Sequence, residues 1–382
     1  MDAGKGNIFG RCCADKYRTK RKRSFYSGKM VFFRELLLRN LSISIILKRY
    51  VSSYRKQLMK IEQIVDRWRI EMAILVVGTI FLDVKGFPLD TYIPDGRNAG
   101  RVEYVHGGVA RNVVEDIANV ELKPVFLSTV DDTPMGADIL EKLKRHKVDC
   151  KHVQIDPDGM GMWLAVFDNN GDVAGSISKR PKGRVLAEYV ERNGDEIFEG
   201  IDSVVLQMDL EKEVVKRIIQ LAEKHGAKVY GIISNMSIAV ERRDFLKHLD
   251  CFICNRDEAG ILFVEDYSDC EMETMMEILP EKIKKANIPA MVVTMGSKGS
   301  VFATMEGEKG ICPSKKVIVK DTTGAGDSFG AGVAIGLTYG KNLQEACEIG
   351  TTLAASVITS VENVCPRFMP EELGLDIQAA EK

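Results

Sequence analysis

Asp327 closes the run Asp321-Thr322-Thr323-Gly324-Ala325-Gly326-Asp327, whose glycines let backbone N–H groups converge on one point. The apolar stretch from Ala331 to Leu337 behind it predicts a helix, which adds unpaired N–H groups and the positive end of its dipole. Such a turn suits an anion. A carboxylate at its mouth would repel a resting phosphate, yet it can take a proton from an attacking hydroxyl while the amides stabilise charge on a transferred phosphoryl group. The stretch by itself predicts a kinase with Asp327 as its base.

Other residues have a chemical reading beside an ordinary one. Asp83 stands five positions after Gly78, beyond the end of a first strand, where it could accept hydrogen bonds from substrate hydroxyls or simply cap a turn. Gly107 and Gly108 precede a helix that carries Asn112 on its first turns, so a ligand could approach the backbone and meet an amide. Asn255 and Glu258 share a helical face and could order a hydrated magnesium ion, or form an N-cap. Thr294, Gly296 and Gly299 follow an apolar strand in a turn that could admit a flat ligand. Asp321 with Thr323 could ligate a monovalent cation or cap the turn. Lys179 and Arg180 could meet an anionic substrate or be a charged strand end.

Strands and helices must alternate to position these groups. Ile74 to Gly78 is an unbroken apolar run, as a strand covered on both faces would be. Strand and helix signals then alternate to the end of the chain, with Val317-Ile318-Val319 read as the strand feeding the glycine turn. The fold class expected is a doubly wound, mostly parallel α/β sheet. Two excursions break the alternation, at about 85–106 and 161–180, the second reading as a hairpin around Asp168-Asn169-Asn170-Gly171-Asp172. They are expected to pair as a small β-sheet lid over the carboxyl ends of the main strands. Residues 1–71 are expected to be a basic extension outside the fold, 72–366 the kinase domain and 367–382 a tail.

Composition narrows the classes. A hydrophobic content of 45% supplies a full core, and residues 1–71 carry 18 Lys and Arg against 6 acids while the rest is acidic. The run Arg18 to Arg23 could serve nucleic acid or a membrane surface; a solvated extension, translated from a start codon called too early, is the preferred reading. Nine cysteines without a repeating spacing argue against a disulfide framework and for a reducing cytoplasm. Cys12-Cys13 carries no stronger signal. Cys251 and Cys254 lie in a strand that turns residues three apart to opposite faces, so structural burial is expected. No run reaches the roughly 18 apolar residues of a membrane span, and no signal-peptide order opens the chain.

Taken together, GxxxxD, GGxxxN, NxxE, TxGxxG and DTTGAGD, in this order, resemble the ribokinase or PfkB family of carbohydrate and nucleoside kinases over residues 72 to about 366. The resemblance implies an ATP-dependent kinase acting on a hydroxyl of a sugar or nucleoside, with a β lid through which a homodimer forms. It implies that Asp327 is the base and that the amides of Gly324, Ala325 and Gly326 form an anion hole. Asp83, Gly107, Gly108 and Asn112 would hold substrate, Asn255 and Glu258 would order magnesium through water, and Thr294, Gly296 and Gly299 would line the ATP site. Asp321 and Thr323 match positions that bind potassium in some members, although Glu362-Asn363 stands where many sugar kinases have Gly-Ala. Asp131-Asp132-Thr133-Pro134-Met135-Gly136 departs from the family's loop, and its acids are left unassigned. The wording of Gly107 to Asn112 and of Asn363 to Pro366 is similar to the pseudouridine kinase branch. A sugar-phosphate kinase and a non-catalytic nucleotide- or sugar-binding protein on the same fold are the alternatives.

Overall fold

The computed structural model describes residues 72–376. The basic run, Cys12-Cys13 and the rest of the expected extension lie outside the described residues.

The first strand, β1 (Ile74–Val77), is buried at every position. Ile74 and Val76 enter one core and Leu75 and Val77 the other, which is why no polar residue alternates along it. It sits inside a nine-stranded sheet with β4 (Val125–Val130), β5 (Asp149–Ile155), β8 (Ser203–Gln207), β9 (Lys228–Ile232), β10 (Cys251–Asn255), β11 (Ala290–Thr294), β12 (Gly299–Thr304) and β13 (Lys309–Pro313), ordered β13-β12-β11-β10-β9-β8-β1-β4-β5. Pairing is parallel from β5 to β11, and β12 and β13 turn antiparallel at one edge. Cys251 and Cys254 point into opposite cores, and burial raises both thiols well above their ordinary range.

Helices α1 (Val109–Asn119), α2 (Pro134–Arg145), α8 (Ala325–Thr338) and α9 (Leu343–Ile358) cover one face. The opposite face is covered by α3 (Arg184–Ile197), α4 (Lys212–His225), α5 (Met236–Ala239), α6 (Arg256–Phe263) and α7 (Met272–Ala286). Residues 367–376, set apart in the sequence as a tail, dock on the first face: Phe368 N–H donates to Asn119 O at 2.8 Å, and Leu373 and Leu375 are buried. No helix among the described residues is long and apolar enough to cross a membrane.

The two excursions form a second sheet of four strands, β2 (Phe81–Pro88), β3 (Gly100–Gly107), β6 (Gly161–Phe167) and β7 (Val173–Lys179), ordered β3-β2-β6-β7. Two antiparallel hairpins join through the parallel β2–β6 pair. Asp83 therefore lies inside β2, not in the loop after β1 where the sequence suggested it. Val317-Ile318-Val319 is also corrected: it belongs to no strand, and Ile318 is 85% exposed. The run is apolar because Val317 and Val319 wall a cavity.

Candidate active site

Gly324 is the N-cap of α8 at φ 80°, and this left-handed turn aims the start of the helix into the space between the two sheets. Asp327 stands on the helix's first turn, half-buried. Asn112 Nδ2, from the fourth residue of α1, donates to Asp327 Oδ2 at 2.6 Å. Burial pushes the Asp327 carboxyl up to about 6; Asn112 and the Arg111 guanidinium pull against that, and Asp83 adds to it. A carboxylate with raised proton affinity and one oxygen already bonded can receive a hydroxyl proton on the other. Of the expected anion-hole amides, Ala325 N–H makes a long 3.2 Å bond to Thr322 O, which a phosphoryl oxygen could share.

Asp83 faces the same space from the small sheet. It sits across from Val105 on β3 and Trp163 on β6, with its carboxylate against Gly107, where a Cβ would come within 2.5 Å of it. Burial raises its proton affinity, against the pull of Lys85 and Arg111. Lys85 and Phe87 follow on the same face at the two-residue period of a strand. Phe87 stacks on Phe167 with centroids 4.7 Å apart, and Trp163 meets Phe167 edge-on at 6.3 Å. An aromatic platform thus continues directly from Asp83, a feature the sequence reading missed because it depends on the β2–β6 register. Gly108 caps α1 beside this sheet.

On the other side of the glycine turn lies a cavity of about 460 Å³. Thr294, Gly296 and Gly299 line it together with Ala325 and Gly326, and Val317, Val319, Phe329, Ala355 and Ile358 form apolar walls. A flat base can lie between those walls with its phosphates toward Gly326 and Asp327.

Asn255 and Glu258 form a reciprocal cap: Glu258 N–H donates to Asn255 Oδ1 at 2.8 Å and Asn255 N–H to Glu258 Oε2 at 2.7 Å. The ordinary reading of this pair is realised, and it leaves one Glu258 oxygen for other use. Burial pushes the Glu258 carboxyl up to about 7; the Asn255 bond opposes this, and the Asp209 and Asp327 charges reinforce it. Asp209, another residue missed, is buried and held by Ser234 N–H at 3.0 Å, Ser234 Oγ at 2.7 Å and Arg180 Nη2 at 2.8 Å. Those partners come from positions distant in sequence, so no local motif marks it. Arg180 is thereby committed to Asp209, and Lys179 pairs with Asp158 at 3.6 Å. Asp321 Oδ1 accepts from both Thr323 N–H and Thr323 Oγ at 2.8 Å, the turn-capping arrangement. In the unassigned loop, Asp131 Oδ1 likewise accepts from Thr133, the N-cap of α2.

Comparison with known proteins bears on what this arrangement does. A model of the pfkB family carbohydrate kinases matches residues 72–364. A guanosine-inosine kinase of Exiguobacterium acetylicum is 37% identical over 292 residues, spanning 76% of this chain and 95% of the relative. A pseudouridine kinase of Escherichia coli strain K12 is 24% identical over 265 residues, 68% of this chain and 82% of the relative. Among solved structures, the ribokinase of Arabidopsis thaliana complexed with ribose and ATP superposes with a TM-score of 0.67 at 18% identity, covering 81% of this chain and 100% of that one.

Proposed function

We propose, since the chain belongs to the pfkB family of carbohydrate kinases and is an ATP-dependent kinase of a sugar or nucleoside, that its acceptor is a purine nucleoside phosphorylated on its primary hydroxyl. The observation that carries this reading is the lateral pairing of Asp83 with Trp163 on one face of the small sheet. A carboxylate suits ribose hydroxyls, and an indole with two phenyl rings beyond it suits a flat base. A free pentose would leave that aromatic surface uncovered. The guanosine-inosine kinase relative supports the same choice.

In the proposed reaction the acceptor oxygen attacks the γ-phosphorus of ATP, its proton passes to Asp327, and the bond to the ADP oxygen breaks. The amides of Gly324, Ala325 and Gly326 meet the charge spreading over the phosphoryl oxygens. Asp83, with the backbone of Gly107 and Gly108 and the amide of Asn112, holds the ribose, and Thr294, Gly296 and Gly299 line the ATP pocket. The small sheet closes over the acceptor and excludes water that would otherwise hydrolyse ATP. Asn255 and Glu258 suit a hydrated magnesium ion: the charges of Asp209 and Asp327 add to the raised proton affinity of Glu258, a repulsion that a cation would relieve. When bound with ATP, magnesium supplies charge neutralisation on the phosphates. A potassium ion at Asp321 and Thr323 would compete with the cap that those residues make with each other.

The face of the small sheet opposite Asp83 exposes Val102, Tyr104, Met162, Leu164 and Ile177. An apolar patch of this kind supports a homodimer through the small sheet. A variant carrying Leu164→Lys and Ile177→Lys should sediment as a monomer; a wild type that is itself monomeric at micromolar concentration ends this part of the reading.

For the acceptor, ADP release should be measured with guanosine, inosine, adenosine, pseudouridine, ribose and sugar phosphates. The proposal expects guanosine or inosine to exceed ribose in kcat/KM by about 10- to 100-fold, the worth of one stacked base. A preference for ribose would overturn it. A sugar-phosphate acceptor is disfavoured, because Arg180 and Lys179 already hold Asp209 and Asp158.

A further inference from the structure

Arg111 is fully buried, a rare state for an arginine, and nothing in the reaction above uses it. Its Nη1 donates to Glu115 Oε2 at 2.5 Å, and its Nη2 faces His106 O at 2.6 Å, Asn363 Oδ1 at 3.1 Å and, closest, Asn112 Oδ1. A guanidinium has donors only. The Asn112 amide has one accepting end and one donating end, so the end that meets Arg111 must be the oxygen. The nitrogen is then left for Asp327, the bond observed at 2.6 Å.

We propose that Arg111 is a positioning residue for the catalytic base, locking the Asn112 amide so that Nδ2 stays on Asp327 Oδ2 and the other carboxylate oxygen is free for the acceptor hydroxyl. Were the amide to turn over, its oxygen would face the carboxylate, two acceptors would oppose each other, and Asp327 would be stabilised only by taking up a proton. Arg111 is itself held in register. Glu115 is fully buried and is shared between Arg111 and Lys142 Nζ at 3.0 Å. Burial would raise the Glu115 carboxyl, but the two cations bring it below its ordinary range, so the pair stays charged. Asn363 Nδ2 donates to His106 O at 2.7 Å and fixes the carbonyl that Arg111 also uses. Among the described residues, the groups whose charges act on Asp327 are Asp83 from β2, Arg111 and Asp116 from α1, and Glu258 from α6, and Arg111 is the cation among them, so its removal has a definite sign.

This inference rests on Asp327 being the base, and its test separates the two. The full-length protein is compared with Arg111→Lys, which keeps a donor-only cation, and with a double variant, Arg111→Gln with Glu115→Gln, which keeps size and removes both charges of the buried pair, leaving the part-exposed Lys142 to solvent. The double variant is expected to lose about 30-fold in kcat, within the range of a general base's contribution, with KM for ATP within about twofold. The acid limb of its rate profile should move up by about one pH unit, while Arg111→Lys keeps the limb in place. An unmoved limb with kcat within about twofold in the double variant overturns the proposal. So does an equal loss in both variants with unmoved limbs, which is what a packing role would give. A wild-type measurement stands beside these. In protein labelled with 15N at asparagine, the Asn112 side-chain resonance, identified by its loss in Asn112→Ser, should titrate with the acid limb. A resonance indifferent to pH through that range also overturns the proposal. Failure of Asp327 as base would show instead as activity retained in Asp327→Asn, whatever the Arg111 variants do.

Discussion

The carbonyl oxygen of Asn363 lies so close to Gly324 that a Cβ placed on that glycine would sit 2.0 Å from it. The same asparagine uses its side chain on Arg111 and His106, so the segment before Pro366 buttresses both the glycine turn and the groups behind Asp327.

Gly324→Ala should therefore damage the site more than the fold. The side chain meets backbone that cannot yield cheaply and a φ of 80° that costs roughly 1–2 kcal/mol outside glycine. Displacing the turn by about 1 Å can cost on the order of 100-fold in rate. Steady-state kinetics beside a melting curve checks this; wild-type kcat in the variant would show that the turn does not hold the transferred group.

Trp163→Ala should raise KM for the nucleoside by about 10- to 100-fold, the worth of one stacked base, and leave KM for ATP unchanged. The cavity proposed for ATP is walled by other residues, Val317, Val319 and Phe329 among them. Equal effects on both substrates would mean that Trp163 supports the sheet and does not touch the acceptor.

Asp116 offers a stability test. It is fully buried, accepting from Cys365 N–H at 2.6 Å and Ser328 Oγ at 2.7 Å, and burial pushes its carboxyl up to about 7. A folded-state value above the unfolded one means that the native protein binds the extra proton, so this group costs stability as pH rises from about 4 through 7. Asparagine can keep both contacts, because the Ser328 hydroxyl can turn to accept. Asp116→Asn should gain on the wild type as pH rises from 5 to 8.5, by up to about 3 kcal/mol, since the carboxyl titrates about two pH units above the lower limit and each unit is worth about 1.4 kcal/mol. Denaturant melts at the two pH values measure it; a difference independent of pH would contradict the assignment.

Much of this was legible in the chain. An unbroken apolar run predicted β1, glycines before a small-residue helix predicted the turn beneath Asp327, and two stretches out of rhythm predicted the small sheet. What stayed hidden depends on partners far apart in sequence. Arg111 follows Ala110 as an arginine of any surface helix would, and although Glu115 stands one turn further on, only the fold buries the pair and brings Asn363 to it. Asp209 gains meaning from Ser234 and Arg180. The Trp163 platform requires the register of two strands separated by more than seventy residues. Val317 to Val319 misled because an apolar wall of a cavity and a buried strand are written with the same residues. The Asn255 and Glu258 pattern suits a cap and a magnesium site equally, and the cap they form here leaves room for both.

The most direct test of the account is single-turnover phosphoryl transfer from ATP in Asp327→Asn. Substitution removes the proton acceptor while keeping the shape that Asn112 holds at 2.6 Å. Transfer should slow by roughly 10² to 10⁴-fold, about 3 to 5 kcal/mol of barrier, with ATP still bound, and the wild-type rate should fall as pH drops through about 6. Transfer at the wild-type rate in the variant would contradict the assignment of Asp327 as the base.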